Sequence, residues 1–211
     1  LTRGPNIMKE FYNAPEATNQ VFAEGWFCTG DIGYIDNNGF LFVTDRKKDL
    51  IKKSSGKFVA PGPIESKLSS SPFVDFAVLV GEGRKFVMAL IFPNFLNLKE
   101  WATALRITDK SNEELLRLPE VDVLYKQIVE KTNSEINPWE RIIKYLIIEN
   151  EPTIASSELT PTMKVRRRVI EKKYKDRIEE IYQKYEHLHD IHLEEAGQKG
   201  PDDYNHTKLA S

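Results

Sequence analysis

The runs Phe76 to Val80 and Phe86 to Phe92, joined by Gly81-Glu82-Gly83-Arg84, constrain this chain more than any other stretch. Both are apolar and rich in β-branched residues, so they predict a β-hairpin. Neither run alternates cleanly between apolar and polar side chains, which marks a hairpin buried rather than half exposed. The other elements are read around it. An earlier hairpin pairs Ile32 to Ile35 with Phe40 to Thr44 across Asp36-Asn37-Asn38-Gly39, residues that tolerate positive φ. A short strand, Leu50 to Lys52, precedes the loop Ser54 to Gly56 and an extended Phe58-Val59.

Helices fill most of the rest. Asn13 is expected to cap a helix that has Pro15 in its first turn and ends near Gly25. Pro63 starts a helix to about Ser69, Asn97 to Leu105 another, and Ser111 to Glu114 is a capping box. Apolar spacing predicts a longer helix over 120–136, then a strand over Tyr145 to Ile148. From Val169, residues Ile170, Tyr174, Ile178, Ile181, Tyr182 and Tyr185 recur at helical spacing and predict one terminal amphipathic helix. The fold class is therefore α+β: short hairpins and a sheet packed by helices.

Composition excludes several functions. Thirty basic against 32 acidic side chains give a net charge of −2, so no global field recruits nucleic acid or an anionic membrane, and any anion site is local. The single cysteine, Cys28, rules out an internal disulfide framework or a multi-cysteine zinc site, fits a cytosolic setting and is expected to be a buried structural thiol. The chain begins at Leu1 rather than Met, and a fragment is the expectation. His187, His189 and His192, with Asp190 and Glu194, invite a metal reading, but the favoured zinc spacings are absent and no metal site is expected. The basic run Lys164 to Arg177 is diluted by Glu171 and Asp176 and carries no aromatic platform; it reads as a solvated helix face, and no nucleic-acid partner is expected.

Chemistry concentrates elsewhere. Asp31 follows Thr29-Gly30, and an ionised carboxylate can accept two hydrogen bonds from a vicinal diol such as a ribose; a turn-stabilising Asp is the structural alternative. In the octapeptide Asp45-Arg46-Lys47-Lys48-Asp49-Leu50-Ile51-Lys52, Arg46, Lys48 and Lys52 are cationic donors suited to a nucleotide; a solvated surface segment is the alternative, and the one that composition alone favours. Lys164 follows a Pro-containing loop that holds it firmly, where an ordinary surface lysine is the alternative.

In their order and spacing, Gly25 to Asp31 with Gly33, Gly39-Phe40-Leu41, the octapeptide, Gly56 through Glu65, and Pro161-Thr162-Met163-Lys164 resemble the adenylate-forming enzyme superfamily. That superfamily comprises acyl-CoA synthetases, aryl-CoA ligases, luciferases and peptide-synthetase adenylation domains. Leu159 to Lys164 and Ala60 to Glu65 look most like its long-chain fatty acid–CoA ligase branch. The resemblance implies two steps: ATP and a fatty acid give acyl-adenylate and pyrophosphate, then coenzyme A displaces AMP. It implies Lys164 as the catalytic residue, Asp31 and Arg46 as ribose contacts, Lys48 as the hinge of a rotating domain, and Lys52 as a phosphate contact. Ser55, Gly56 and Lys57 would line a coenzyme A tunnel. Residues 1–47 correspond to the C-terminal edge of a large adenylating domain, 48–186 to a mobile C-terminal lid domain, and 187–211 to a tail. Mg2+ would be held mainly by the large domain, which contributes the phosphate loop and is itself an implied partner. An isolated chain of this extent is expected to be inactive, and a parent protein in the cytoplasm or peripheral to a membrane is implied. Residues 93–140 are a helical insertion longer than in compact relatives. Transfer to a carrier-protein thiol, and a non-catalytic module that keeps the fold, are the rival readings.

Overall fold

The computed structural model describes residues 1–195, with side chains through Tyr185. The chain divides into two units, residues 1–50 and Ile51 onward.

In the first unit, α1 (Pro15–Val21) is shorter than expected and Asn13 does not cap it: Asn13 takes φ +48 and Ala14 is the cap residue. No side chain caps the helix; Thr18, inside it, ties down the preceding loop, accepting from the Phe11 N–H at 3.0 Å and donating to the Ala14 carbonyl at 2.9 Å. The helix stops where Phe22 turns extended to open β1 (Phe22–Ala23), and Glu24 and Gly25, both at positive φ, close a two-residue turn between it and β2 (Trp26–Phe27). Next, β3 (Asp31–Ile35) and β4 (Leu41–Arg46) form the expected antiparallel hairpin. Its turn is fixed by Asp36, whose Oδ1 accepts the N–H groups of Asn38 and Phe40, and by Gly39 at φ +85. Gly33 sits at a bulge where a Cβ would lie 2.3 Å from the Phe42 carbonyl oxygen, so no other residue fits. None of the buried core residues falls within residues 1–50. Tyr34, Ile35, Phe40, Leu41, Phe42 and Val43 are all exposed. A segment with no buried side chain has little to offset the entropy of ordering it.

A 3-10 turn, Lys47–Asp49, leads to the second unit. There β5 (Ile51–Lys52) pairs with β6 (Phe58–Val59), followed by α2 (Pro61–Leu68). The helix starts at Pro61, two residues before the expected Pro63, since a first turn accepts proline. The predicted buried hairpin is β7 (Val74–Val80) and β8 (Val87–Pro93), and every residue of β8 is buried. After α3 (Phe95–Ala104), α4 (Asn112–Leu116) and α5 (Pro119–Ser134), β9 (Ile142–Ile147) adds to β8 in parallel, giving the order β7-β8-β9. Ser111 makes the expected capping box of α4. The terminal helix is two: α6 (Arg167–Lys173) and α7 (Lys175–Glu195), broken at Tyr174.

Both faces of this sheet are covered, which explains the missing alternation. Val87, Ala89 and Ile91 point toward Leu68 of α2, Leu98 of α3 and Tyr125 and Val129 of α5. Phe86, Met88, Leu90 and Phe92 point the other way, toward Ile170, Ile178, Ile181 and Tyr182. Full burial of each Val, Leu, Ile, Phe or Met side chain among them contributes about 1.5–3 kcal/mol. The Tyr182 hydroxyl donates to the carbonyls of Val80 and Phe86, satisfying polar groups at the hairpin end. Residues 93–140 are thus no appendage: their helices seal one face of the sheet. The side chains of His187, His189, His192, Asp190 and Glu194, and the whole of residues 196–211, lie outside the described residues.

Candidate functional site

In the first unit β4 runs on past the expected Thr44, and this puts Arg46 directly opposite Asp31 in the register. Arg46 Nε lies 3.3 Å from Asp31 Oδ1, and the Lys47 N–H closes the strand end on the Gly30 carbonyl at 2.7 Å. Gly30 at φ +77 makes that closure available. Asp31 also receives local support, its N–H donating to Thr29 Oγ1 at 3.1 Å. The pair is solvent-facing, so its own contribution to stability is small. What it provides is an acceptor and a fork of donors held side by side, a pairing suited to ribose hydroxyls. Lys48 lies on the exposed 3-10 turn, two residues before the boundary between the units. Cys28, expected to be buried, is only half-buried, its N–H donating to the Val21 carbonyl as the chain leaves β2.

In the second unit Lys52, Ser55, Gly56 and Lys57 share the β5–β6 hairpin. Gly56 takes φ +80, and its N–H closes the turn on the Lys53 carbonyl at 2.9 Å. This hairpin is stapled to the β7–β8 turn: the Lys52 N–H donates to Glu82 Oε2, the Gly83 N–H to the Lys52 carbonyl, and the Ser54 N–H to the Arg84 carbonyl. Lys52 Nζ rests over the exposed Phe58 ring, at 5.9 Å. Lys53 reaches across to the Trp139 carbonyl at 3.0 Å, while Lys57 Nζ stands over the Trp139 ring at 5.2 Å. Burial, and then the neighbouring Lys57 charge, hold the Lys53 ammonium below the usual lysine range. Lys57→Gln removes one cause and should move the Lys53 titration upward, as read from its side-chain NMR shifts against pH; an unmoved Lys53 would contradict the pairing.

Lys164 is exposed on a five-residue turn. The Thr160 N–H donates to the Lys164 carbonyl at 2.8 Å, the Met163 N–H to the Thr160 carbonyl at 2.9 Å, and the Lys164 N–H to Thr160 Oγ1 at 3.0 Å. The same bonds recur at Asp36 to Phe40, where Asp36 Oδ1 replaces the hydroxyl and Gly39 holds the left-handed position. At the second turn Met163 takes that position, at φ +59. A bulky residue there is costly, so the surroundings must hold it.

They do so on both flanks. Downstream, Arg167 of α6 pairs with Glu65 of α2 at 2.7 Å and donates to the Leu79 carbonyl, whose own N–H is taken by Glu65 Oε1 at 2.6 Å. One ion pair thereby satisfies both backbone groups of Leu79 on edge strand β7 and ties the start of α6 to it. Upstream, Glu158 is buried against Lys173, and its carbonyl accepts the Arg166 N–H at 2.8 Å. The basic run is therefore not a uniformly solvated face: Arg167, Lys173 and Arg177 turn to Glu65, Glu158 and Glu149, acids from elsewhere in the chain.

Residues 48–186 match the family model described as AMP-binding enzyme C-terminal domain. The chain belongs to that family. Among curated relatives of this AMP-binding enzyme domain, "Long-chain-fatty-acid--CoA ligase FadD15" of Mycobacterium tuberculosis is 35% identical over 190 residues, covering 87% of this chain and 31% of the relative. "Long chain acyl-CoA synthetase 1" of Arabidopsis thaliana is 36% identical over 188 residues, covering 86% and 28%. The chain thus spans about a third of the length of the curated relatives it matches. Its fold is similar to the adenylation domain of a carboxylic acid reductase from Segniliparus rugosus, solved with AMP, at TM-score 0.69 and 24% identity over 86% of this chain and 27% of that one. The o-succinylbenzoate coenzyme A synthetase of Bacillus subtilis, also solved with AMP, matches at TM-score 0.52 and 27% identity, covering 79% and 28%. The α+β class expected from the sequence agrees with these neighbours.

Sequence reasoning missed Thr160, Glu158, Lys173, Glu65 and Arg167 as supports of Lys164. Thr160-Pro161 carried a turn signal, but ion pairs between distant segments leave no periodic trace. Among the described residues no group of three or more His, Cys, Asp or Glu side chains could hold a metal ion.

Proposed function

We propose that this chain is the C-terminal part of an ATP-dependent, AMP-forming ligase that activates a long-chain fatty acid and transfers it to coenzyme A. The observation that carries the reading is Lys164, an exposed ammonium on a turn pinned at both flanks, within a domain whose curated relatives are named fatty acid–CoA ligases. In the first step the fatty carboxylate attacks the α-phosphorus of ATP, and the bond to pyrophosphate breaks. Lys164 stabilises the negative charge shared by the carboxylate and the phosphoryl oxygens. Asp31 and Arg46 hold the ribose, and Lys52 meets a phosphate.

In the second step the coenzyme A thiol attacks the acyl carbon, loses its proton and expels AMP. Lys164 and the incoming thiol compete for the same space. Rotation of residues 48–186 about Lys48 resolves that conflict, withdrawing Lys164 and bringing up the Ser55-Gly56-Lys57 turn, where the missing side chain of Gly56 leaves room for the pantetheine arm. The exposed apolar hairpin of residues 31–46 supports a partner surface in a large N-terminal domain, which also carries the phosphate loop. On this reading the chain by itself does not turn over ATP.

The test uses the full-length protein with ATP, a long-chain fatty acid and either coenzyme A or a carrier protein. AMP and acyl-CoA formed together are the expected products. Acyl transfer only to the carrier protein would overturn the acceptor assignment, and absence of fatty-acid-dependent pyrophosphate exchange would leave a non-catalytic module.

A further inference from the structure

We propose that Glu158 is a positioning residue for Lys164, acting through its buried ion pair with Lys173; the inference rests on the adenylating role of Lys164. Glu158 is 1% exposed. Lys173 Nζ donates to both of its carboxylate oxygens at 3.0 Å, and Ser156 Oγ donates to Oε2 at 2.5 Å. The same residue's carbonyl accepts the Arg166 N–H, and Leu159 pairs with Val165 as an isolated bridge. Glu158 therefore ties the two legs of the Lys164 turn together from below and anchors them to the last turn of α6.

Two facts separate this role from ordinary stabilisation. A buried ion pair contributes little net stability relative to apolar side chains of the same volume, so what it supplies here is orientation. The segment it anchors also carries two non-glycine residues in the left-handed region, Ser157 at φ +62 and Met163 at φ +59. Such backbone persists only where its neighbours over-determine it. Glu158 lies between the two, directly after Ser157, and the Thr160 hydroxyl completes the hold. Leu159 is buried and Val165 packs on the core beside it, so the apolar contacts seat the legs of the turn while Glu158 supplies its buried charged tie to α6.

Glu158→Gln keeps the volume and removes the charge, and because Lys173 is 41% exposed its ammonium can turn to water, so the domain should remain folded. In the full-length enzyme the expected result is a fall of about tenfold in kcat for acyl-adenylate formation with KM for ATP unchanged, a partial share of the roughly 100-fold that a 1 Å misplacement can cost. Thioester formation from supplied acyl-adenylate should stay within about twofold, since Lys164 is withdrawn for that step. On a Lys164→Ala background Glu158→Gln should add nothing, because it acts through the missing ammonium. Ser156→Ala, a milder loosening, should shift adenylation in the same direction, and Lys173→Arg, which keeps the pair, should retain most of it. Equal losses in both half-reactions, a further loss on the Lys164→Ala background, or unchanged adenylation would overturn the inference. Normal adenylation by Lys164→Ala itself is a different result, and would remove the underlying reading instead.

Discussion

Replacing Lys164 with Ala in the full-length enzyme is expected to lower acyl-adenylate formation by about 10²–10³-fold, the loss found when one preorganised donor is removed from a developing oxyanion. That corresponds to roughly 2.7–4 kcal/mol of transition-state stabilisation. The size follows from preorganisation. The turn is closed by three hydrogen bonds and fixed on one flank by Glu158 and on the other by Arg167, so the backbone that carries the lysine needs little reorganisation when charge develops. ATP–pyrophosphate exchange driven by the fatty acid measures the effect. Transfer from preformed acyl-adenylate to coenzyme A should fall far less, because in the proposed mechanism Lys164 is withdrawn for that step. Near-normal exchange in the variant would sink the assignment.

Lys48→Pro should show the opposite pattern. Lys48 lies on a 3-10 turn two residues before the boundary between the units, a short stretch where a few dihedrals can absorb a large change. Proline fixes φ near −65° and restricts Lys47 as well, so a hinge that needs two conformations is held to one. Thioester formation is expected to drop on the order of 100-fold, as for a reacting group held out of reach, while adenylation falls by no more than about threefold. Lys48→Gly, which keeps rotation free, separates a locked hinge from a lost lysine side chain and should leave both half-reactions nearer to normal. Equal losses in the two half-reactions of Lys48→Pro would contradict the hinge.

The parts of this molecule that were legible in its sequence are those specified locally. The β7–β8 hairpin was readable because two apolar runs and their glycines are contiguous, and the capping box at Ser111 because its partners are three residues apart. The parallel pairing of β9 with β8 was not, since an apolar run does not say which strand it joins. The end of β4 was misplaced for a related reason: Asp45-Arg46 looks like a polar loop until Asp31 is found across from Arg46. Lys164 stood out through the turn motif before it. Its supports did not, because Glu158 and Lys173 are joined only by the packing of α6 onto the sheet.

The parallel β8–β9 pair also sets an order of events during synthesis. The β7–β8 hairpin can close as soon as both strands exist, but β9 arrives only after the long connection of α3, α4 and α5. Until then β8 has one open hydrogen-bonding edge along a wholly buried, apolar strand, a template on which another chain could add. A nascent or truncated polypeptide stopping short of Ile142 therefore carries an aggregation hazard that the finished fold conceals. The three helices that arrive in between cover a face of the sheet but cannot close that edge; only β9 does.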